Sequence, residues 1–222
     1  MNNSFRLSPD GIYRCDAFQE FVWQQHGFGT RLRSPKADVT LKQVHSNRVV
    51  NANGLRGGEA EGDALIVDCT GRSIGVRTAD CVPILALDCR RRSIAAVHAG
   101  WRGAAGEIAR LTVERMQAEF QTDPRDLYVA LGPCIRVCCY EVGAEVVAQL
   151  ATQFPEWAAE EAETRKVDLP EANRRQLEKA GVNPEHIFDC CLCTACEGAQ
   201  FFSYRREPAN PGRMVAAIER LS

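Results

Sequence analysis

The stretch RTADCVPILALDCRRRSIAAVHAGWRG, residues 77–103, carries one cysteine near its start and one histidine near its end, Cys81 and His98. A thiol and an imidazole that can reach each other are either a nucleophile with its base or two ligands for a metal ion. A third group of matching chemistry lies upstream, His45 in LKQVHSNRVV. Two histidines and one cysteine are the ligand count of a catalytic zinc site with one position left open for water or substrate. Zinc there would keep Cys81 as thiolate and lower the pKa of a bound water toward neutrality. The plainer alternatives are Cys81 as a small buried hydrophobe and His45 as a structural histidine of a strand.

These residues need elements to position them. Two apolar runs, Val82 to Leu87 and Ile94 to Val97, flank the polar break Asp88 to Ser93 and read as a β-hairpin. A two-residue loop, Cys89-Arg90, sets Cys81 opposite His98. A four-residue loop, Cys89 to Arg92, offsets the pair by two but keeps it on one face, whereas an odd loop separates the faces unless a bulge intervenes. Either even loop brings the thiol and the imidazole within about 5–8 Å. His45 is expected inside a strand over 39–51, with another strand at 63–68.

After the hairpin, HAGWRGAAGEI places glycines at 100, 103 and 106, where backbone can approach a ligand closely. The helix that follows, with Ala109, Val113, Met116 and Phe120 at helical spacing, would offer free N–H groups to an anion at its start. Arg102 would add a fork of donors suited to phosphate, and Arg77 a second positive group. An ordinary loop-to-helix turn with solvated arginines is the alternative. Asp123-Pro124 stops this helix. LYVALGP reads as a buried strand and GAEVVAQLATQF as a helix. Asp168 reads as the N-cap of a third helix, with Pro170 in its first turn and Glu171 three residues on, ending at Gly181. HIFDCC and FFSYRRE read as late strands. The alternation predicts a layered α/β fold with mixed, largely antiparallel sheets, organised as a single domain over 1–222.

With 222 residues and 45% hydrophobic content, the chain can build one large core. Lys plus Arg total 27 and Asp plus Glu 29, a balance that favours neither nucleic acid nor a membrane surface as partner. No apolar run suits a transmembrane helix, and MNNSFRLSPDGIYRC lacks the apolar stretch of a signal peptide. A cytoplasmic location is expected, where eleven cysteines imply metal ligands, reactive thiols or burial rather than disulfides. Cys190, Cys191, Cys193 and Cys196 could form a second, structural zinc site with Cys134, Cys138 or Cys139. Only four histidines are present, His26, His45, His98 and His186, with three methionines and no His-x-His pair. That inventory cannot furnish a multicopper cluster, although a single copper could occupy the triad. The zinc-deaminase pattern also fails: Ala99-Gly100 follows His98, and Leu192 rather than proline precedes Cys193-Thr194-Ala195-Cys196.

The segments KQVHS, EGDALIVD, RTADCVPILALD, AAVHAGWRG, LGPCIRVCCYEVG and FFSYRR together resemble the YfiH-like proteins over about residues 26–218. That family was once called laccase-domain or multicopper polyphenol oxidase and later recognised as purine nucleoside phosphorylases with adenosine deaminase activity. The resemblance implies a metal triad at His45, Cys81 and His98, and a four-layer α/β/β/α fold shared with a toxin deamidase that uses a Cys–His pair. It implies no second metal at the Cys-Thr-x-Cys segment. One departure stands out: the family's longer Gly/Ser-rich segment after HGFGTR is missing, since Thr30-Arg31 leads within ten residues to VTLKQVH.

The expected function is therefore zinc-dependent phosphorolysis of purine nucleosides (adenosine, inosine, guanosine, methylthioadenosine) to free base and ribose 1-phosphate, with adenosine deamination beside it. Arg102 and the helix start near Gly103 are the expected phosphate site. Gln43, Arg77, Asp80, Tyr140 and Glu141 are the remaining substrate-binding candidates. The expected partners are the nucleoside and phosphate, in a monomer or homodimer. Rival readings are a metal-free cysteine hydrolase or amidase, with Cys81 as nucleophile, His98 as base and His45 as orienting group, a copper-loaded polyphenol oxidase, and a non-catalytic interaction protein.

Overall fold

The structure is a computed structural model describing residues 4–58, 60–154, 164–209 and 212–222. In chain order its strands are β1 (Phe5–Leu7), β2 (Tyr13–Cys15), β3 (Gln24–Phe28), β4 (Val49–Asn51), β5 (Ala64–Val67), β6 (Arg72–Thr78), β7 (Val82–Asp88), β8 (Ile94–Ala99), β9 (Leu127–Leu131), β10 (Ile187–Asp189) and β11 (Met214–Arg220). The helices among the described residues are α1 (Trp101–Ala105), α2 (Ile108–Phe120), α3 (Ala144–Ala151) and α4 (Leu169–Lys179). Two sheets result. One is five-stranded, in the order β1-β2-β3-β11-β6, with antiparallel pairings; the other is six-stranded, β10-β9-β7-β8-β5-β4, and mixed. This is the expected layered α/β fold with mixed, largely antiparallel sheets.

β7, VPILALD, is buried at every position because both faces of its sheet are covered. Ile84 and Ala86 face the helices with Val113, Met116 and Leu177, while Leu85 and Leu87 face the other sheet with Phe28, Ile74 and Ile218. The four helices contribute to the first of these two cores, on the outer side of the six-stranded sheet. The outer side of the five-stranded sheet is covered differently. There the short segment after Arg31 lies flat on glycines: a Cβ on Gly75 would come within 2.6 Å of Ala37, and one on Gly27 within 3.8 Å of Pro35. This connection thus packs directly on the sheet.

The β7–β8 hairpin has the four-residue loop. Leu87 pairs with Ile94 and Pro83 with His98, so Cys81 and His98 sit two residues out of register on one face. Asp88 fixes the turn: its carboxylate accepts the N–H groups of Arg90 and Arg91, both at 2.8 Å. α4 starts as expected, with the Asp168 side chain accepting from Glu171 N at 3.1 Å, and a left-handed Gly181 (φ 95°) follows it.

Three expectations need correction. Residues 39–51 are not one strand: only Val49–Asn51 is, and His45 adopts a left-handed turn conformation (φ 58°). The single helix expected after Gly100 is two helices, broken at Gly106 and a left-handed Glu107 (φ 59°). α2 ends at Phe120, as the sequence implied, through a left-handed Gln121 ahead of Asp123-Pro124. FFSYRRE is loop and turn, not strand, because its arginines bond to other loops while Ser203 accepts from Arg206 N and Glu207 N to close the turn; the late strand is β11. No helix among the described residues is long and apolar enough to cross a membrane.

Candidate metal and nucleoside site

The sulfur of Cys81 and one ring nitrogen each of His45 and His98 lie within 4.8 Å of one another. Each arrives from a different element: His98 from the buried end of β8, Cys81 from the residue before β7, and His45 from a turn. The histidine rings stand edge to face with centroids 5.0 Å apart.

A residue the sequence reading passed over, Asp63, assembles the set. It is fully buried just before β5. Its carboxylate accepts from His98 Nδ1 at 2.8 Å, from the backbone N–H groups of Val44, His45 and Ser46 at 3.3, 3.0 and 2.6 Å, and from Ser46 Oγ at 2.7 Å. One carboxylate thereby holds the left-handed turn at His45 and orients the ring of His98, leaving Nε2 of His98 for a ligand. The signal in the sequence was a single acidic residue directly ahead of the apolar run ALIV.

Electrostatics follow from this packing. Burial raises the Asp63 carboxyl, but the hydrogen bonds from His98 and Ser46 prevail and hold it at about 2. Burial likewise opposes charge on Cys81 and His98. The hydrogen bonds of His45 and His98 nonetheless bring the thiol down to about 6, and those of Asp63 and Cys81 bring the imidazole up to about 9. Without a metal, this packing favours the thiolate of Cys81 and the imidazolium of His98, backed by the Asp63 carboxylate.

The residues present fit a metal ion. The donor set is two imidazole nitrogens and a sulfur that favours its thiolate form, with a carboxylate behind one histidine. Gly100 forms the back of the cradle, where a Cβ would lie 3.0 Å from Cys81 Sγ and 3.3 Å from His45 Cδ2. A multicopper cluster does not fit. His26 is spent on the backbone N–H of Cys15 (2.9 Å) and on Gln24 (3.1 Å), and His186 stacks on Tyr128 with centroids 4.0 Å apart.

The triad opens into a cavity of about 840 Å³. Lys42, Gln43, Arg77, Asp80, Trp101, Arg102, Tyr140, Tyr204, Arg205 and Arg213 line it further, with Ala79 and Ile135 as its aliphatic members. Five of these side chains are cationic and one is a carboxylate. The guanidinium of Arg102 lies 4.3 Å from the Trp101 ring centroid, and neither Arg77 nor Arg102 is in an ion pair among the described residues.

The remaining candidates fare unevenly. Gln43 lines the cavity, but its amide is bonded at both ends to the backbone of Arg77, at 2.8 Å each. Asp80 does too, yet its carboxylate accepts from Thr194 Oγ1 and Arg205 N, both at 2.7 Å. Tyr140 faces the cavity, and burial pushes its phenol well above the usual range, so it remains a donor. Glu141 falls outside this lining, in a neighbouring pocket with Val142 and Gly143. α1, at five residues, is too short to be an anion site by itself, and Gly103 packs on the Ser46 carbonyl rather than facing a ligand. Arg205, unforeseen, lies 5.4 Å from the Tyr140 ring centroid.

A family model described as multi-copper polyphenol oxidoreductase laccase matches residues 17–220. The chain belongs to this family. Among its relatives, purine nucleoside phosphorylase YlmD of Geobacillus stearothermophilus is 42% identical over 163 residues, covering 71% of this chain and 60% of that protein. A purine nucleoside phosphorylase of Deinococcus radiodurans is 40% identical over 179 residues, 80% of this chain and 68% of that one. The adenosine deaminase RL5, from an unknown prokaryotic organism, is 40% identical over 163 residues, covering 71% of this chain and 62% of that protein. The crystal structure of YlmD from G. stearothermophilus superposes with a TM-score of 0.87 at 30% identity, covering 99% of this chain and 100% of that one.

Proposed function

We propose that the chain is a purine nucleoside phosphorylase whose metal, zinc, is held by His45, Cys81 and His98. The observation that carries this reading is the two-histidine, one-cysteine set at the floor of a cavity ringed by cationic side chains. The family members named as phosphorylases support it. In phosphorolysis a phosphate oxygen bonds to C1′ of the ribose while the C1′–N9 bond breaks, and the base leaves with a proton.

Arg77 and Arg102 suit the phosphate, as guanidiniums without an ion-pair partner among the described residues. Trp101 and Tyr140 offer rings for the purine, and the protonated Tyr140 phenol can donate to it. Zinc, when bound, supplies a Lewis acid at the cavity floor. Asp63 keeps His98 in the tautomer that presents Nε2. Adenosine deamination at the same site is part of the proposal, supported by the relative named for that activity. One domain over 1–222 is supported by the core between the two sheets, which holds both Phe5 and Ile218, and a reducing, cytoplasmic setting by eleven free thiols. The test is product analysis with adenosine or inosine: base release should require phosphate and yield ribose 1-phosphate, and Arg102→Ala should raise the KM for phosphate more than that for nucleoside. Phosphate-independent formation of free ribose would refute the reading.

A second reading has its own observation. Asp63, His98 and Cys81 form the carboxylate–imidazole–thiolate order of a cysteine hydrolase. The orienting group in that reading is Asp63, not His45. Metal analysis separates the two: full activity in metal-free protein favours the hydrolase.

A further inference from the structure

Eleven cysteines exceed what the triad uses, and four of the remainder converge from two distant turns. Cys138 and Cys139 lie in the turn before Tyr140, and Cys193 and Cys196 bracket Thr194-Ala195. The four sulfurs lie within 4.8 Å of one another. The separations are 3.8 Å for Cys138–Cys139, 3.7 Å for Cys138–Cys196 and 3.4 Å for Cys139–Cys196. Four thiolates around one zinc ion at about 2.3 Å must stand about 3.8 Å apart at the corners of a tetrahedron. A disulfide would require about 2.05 Å for a single pair and leave the other two thiols unexplained.

From this geometry we infer a second metal site, a closed tetrathiolate zinc centre formed by Cys138, Cys139, Cys193 and Cys196. The backbone builds the site independently of any ion. Cys134 and Cys193 form a β-bridge, with Thr194 N donating to Cys134 O at 2.9 Å, so the two turns are docked side by side. Each turn is closed on itself, by Cys139 N to Arg136 O and by Glu197 N to Cys193 O, both at 2.9 Å. On binding, the four thiols release their protons to solvent, and the zinc tetrathiolate carries a net charge of −2. Arg206 donates to the carbonyls of Thr194 and Ala195 at 2.8 and 2.9 Å, and Arg205 to that of Cys139 at 3.0 Å, which sets two guanidiniums against that charge. Cys138 and Cys196 are exposed, which gives the ion an entry path. Cys134 and Cys190 are buried with their thiols pushed well up by burial, and Cys191 lies outside the group, so the set differs from the wider one the sequence allowed.

With all four positions taken by protein, the centre is structural rather than catalytic. Its position gives it a task. Arg205 also donates to the Glu141 carbonyl at 2.8 Å and reaches the Tyr140 ring, so a zinc ion joining the two turns would brace the wall of the cavity that carries Tyr140.

Cadmium NMR of the whole reduced protein, with cadmium as the probe, tests this without any variant. Two resonances are expected, one far downfield where tetrathiolate cadmium appears and one in the mixed nitrogen–sulfur range for the triad. Cys193→Ser should remove the downfield signal alone, and Cys81→Ala the other alone. A missing mixed-ligand signal would count against the triad and leave this centre standing. Absence of the downfield signal with cadmium in excess, or a Cys139–Cys196 disulfide in protein kept reduced, would overturn it. If Cys193→Ser fails to fold, the wild-type spectrum still decides.

Discussion

Asp63 concentrates more of the site in one side chain than either histidine does. Five hydrogen bonds end on its two oxygens, and they reach both histidine-bearing segments. Asp63→Asn keeps the volume but removes the charge and one acceptor oxygen. Metal affinity at the triad should fall roughly 10- to 100-fold, as is usual when a carboxylate behind a ligating histidine is lost; chelator competition measures it, and an unchanged affinity would remove Asp63 from the account. Gly100 makes a narrower point. Its backbone is ordinary (φ −77°), so alanine there meets no conformational penalty. The added methyl instead presses on Cys81 and His45. Gly100→Ala should therefore lower metal occupancy while leaving the thermal midpoint of metal-free protein within a few degrees of wild type.

At the level of elements, α2 tests whether core and site are separable. Met116 is fully buried in the core on the helix side of the six-stranded sheet and does not line the cavity. Met116→Ala should cost about 2–5 kcal/mol by denaturant titration, with the metal content of the folded protein unchanged. The sequence made this helix legible because its buried positions repeat every three to four residues, and it made the hairpin legible because two apolar runs flank a charged break. The register of Cys81 and His98 then followed from loop length. His45 was misplaced because a left-handed turn leaves no periodic trace: its conformation is imposed by Asp63, a tertiary partner. The helix break at Glu107 was hidden in the same way, since Gly106 and Glu107 are held by Asn47, Arg110 and Lys179. β11, although as long as β6 and β7, was missed because MVAAIER shows no strict alternation, and its place between β3 and β6 makes it a strand. The helix start expected near Gly103 is the five-residue α1, while Arg77 and Arg102 both line the cavity.

For the whole molecule, pH acts through His26 as well as through the active cavity. Burial is the main cause that takes its imidazole from 6.5 down to about 3, and its Nε2 accepts the Cys15 N–H. The unfolded chain takes up a proton at this residue below about 6.5, while the folded protein stays neutral there until about 3. Stability should thus fall as pH drops through that window, by about 1.4 kcal/mol for each unit. Urea titrations of metal-free protein between those limits should show the slope, and His26→Gln should flatten it. Another consequence lies in the order of β11. This strand pairs with β3 on one side and β6 on the other over nearly its full length, yet it follows every other strand in the chain. The strands of the six-stranded sheet are all in hand by Asp189. During synthesis from the N-terminus, then, the β7–β8 hairpin can pair with its neighbours while β3 and β6 still wait with open edges. A nascent chain halted at residue 212 should protect the amides of β7 and β8 from exchange and leave those of β3 and β6 unprotected.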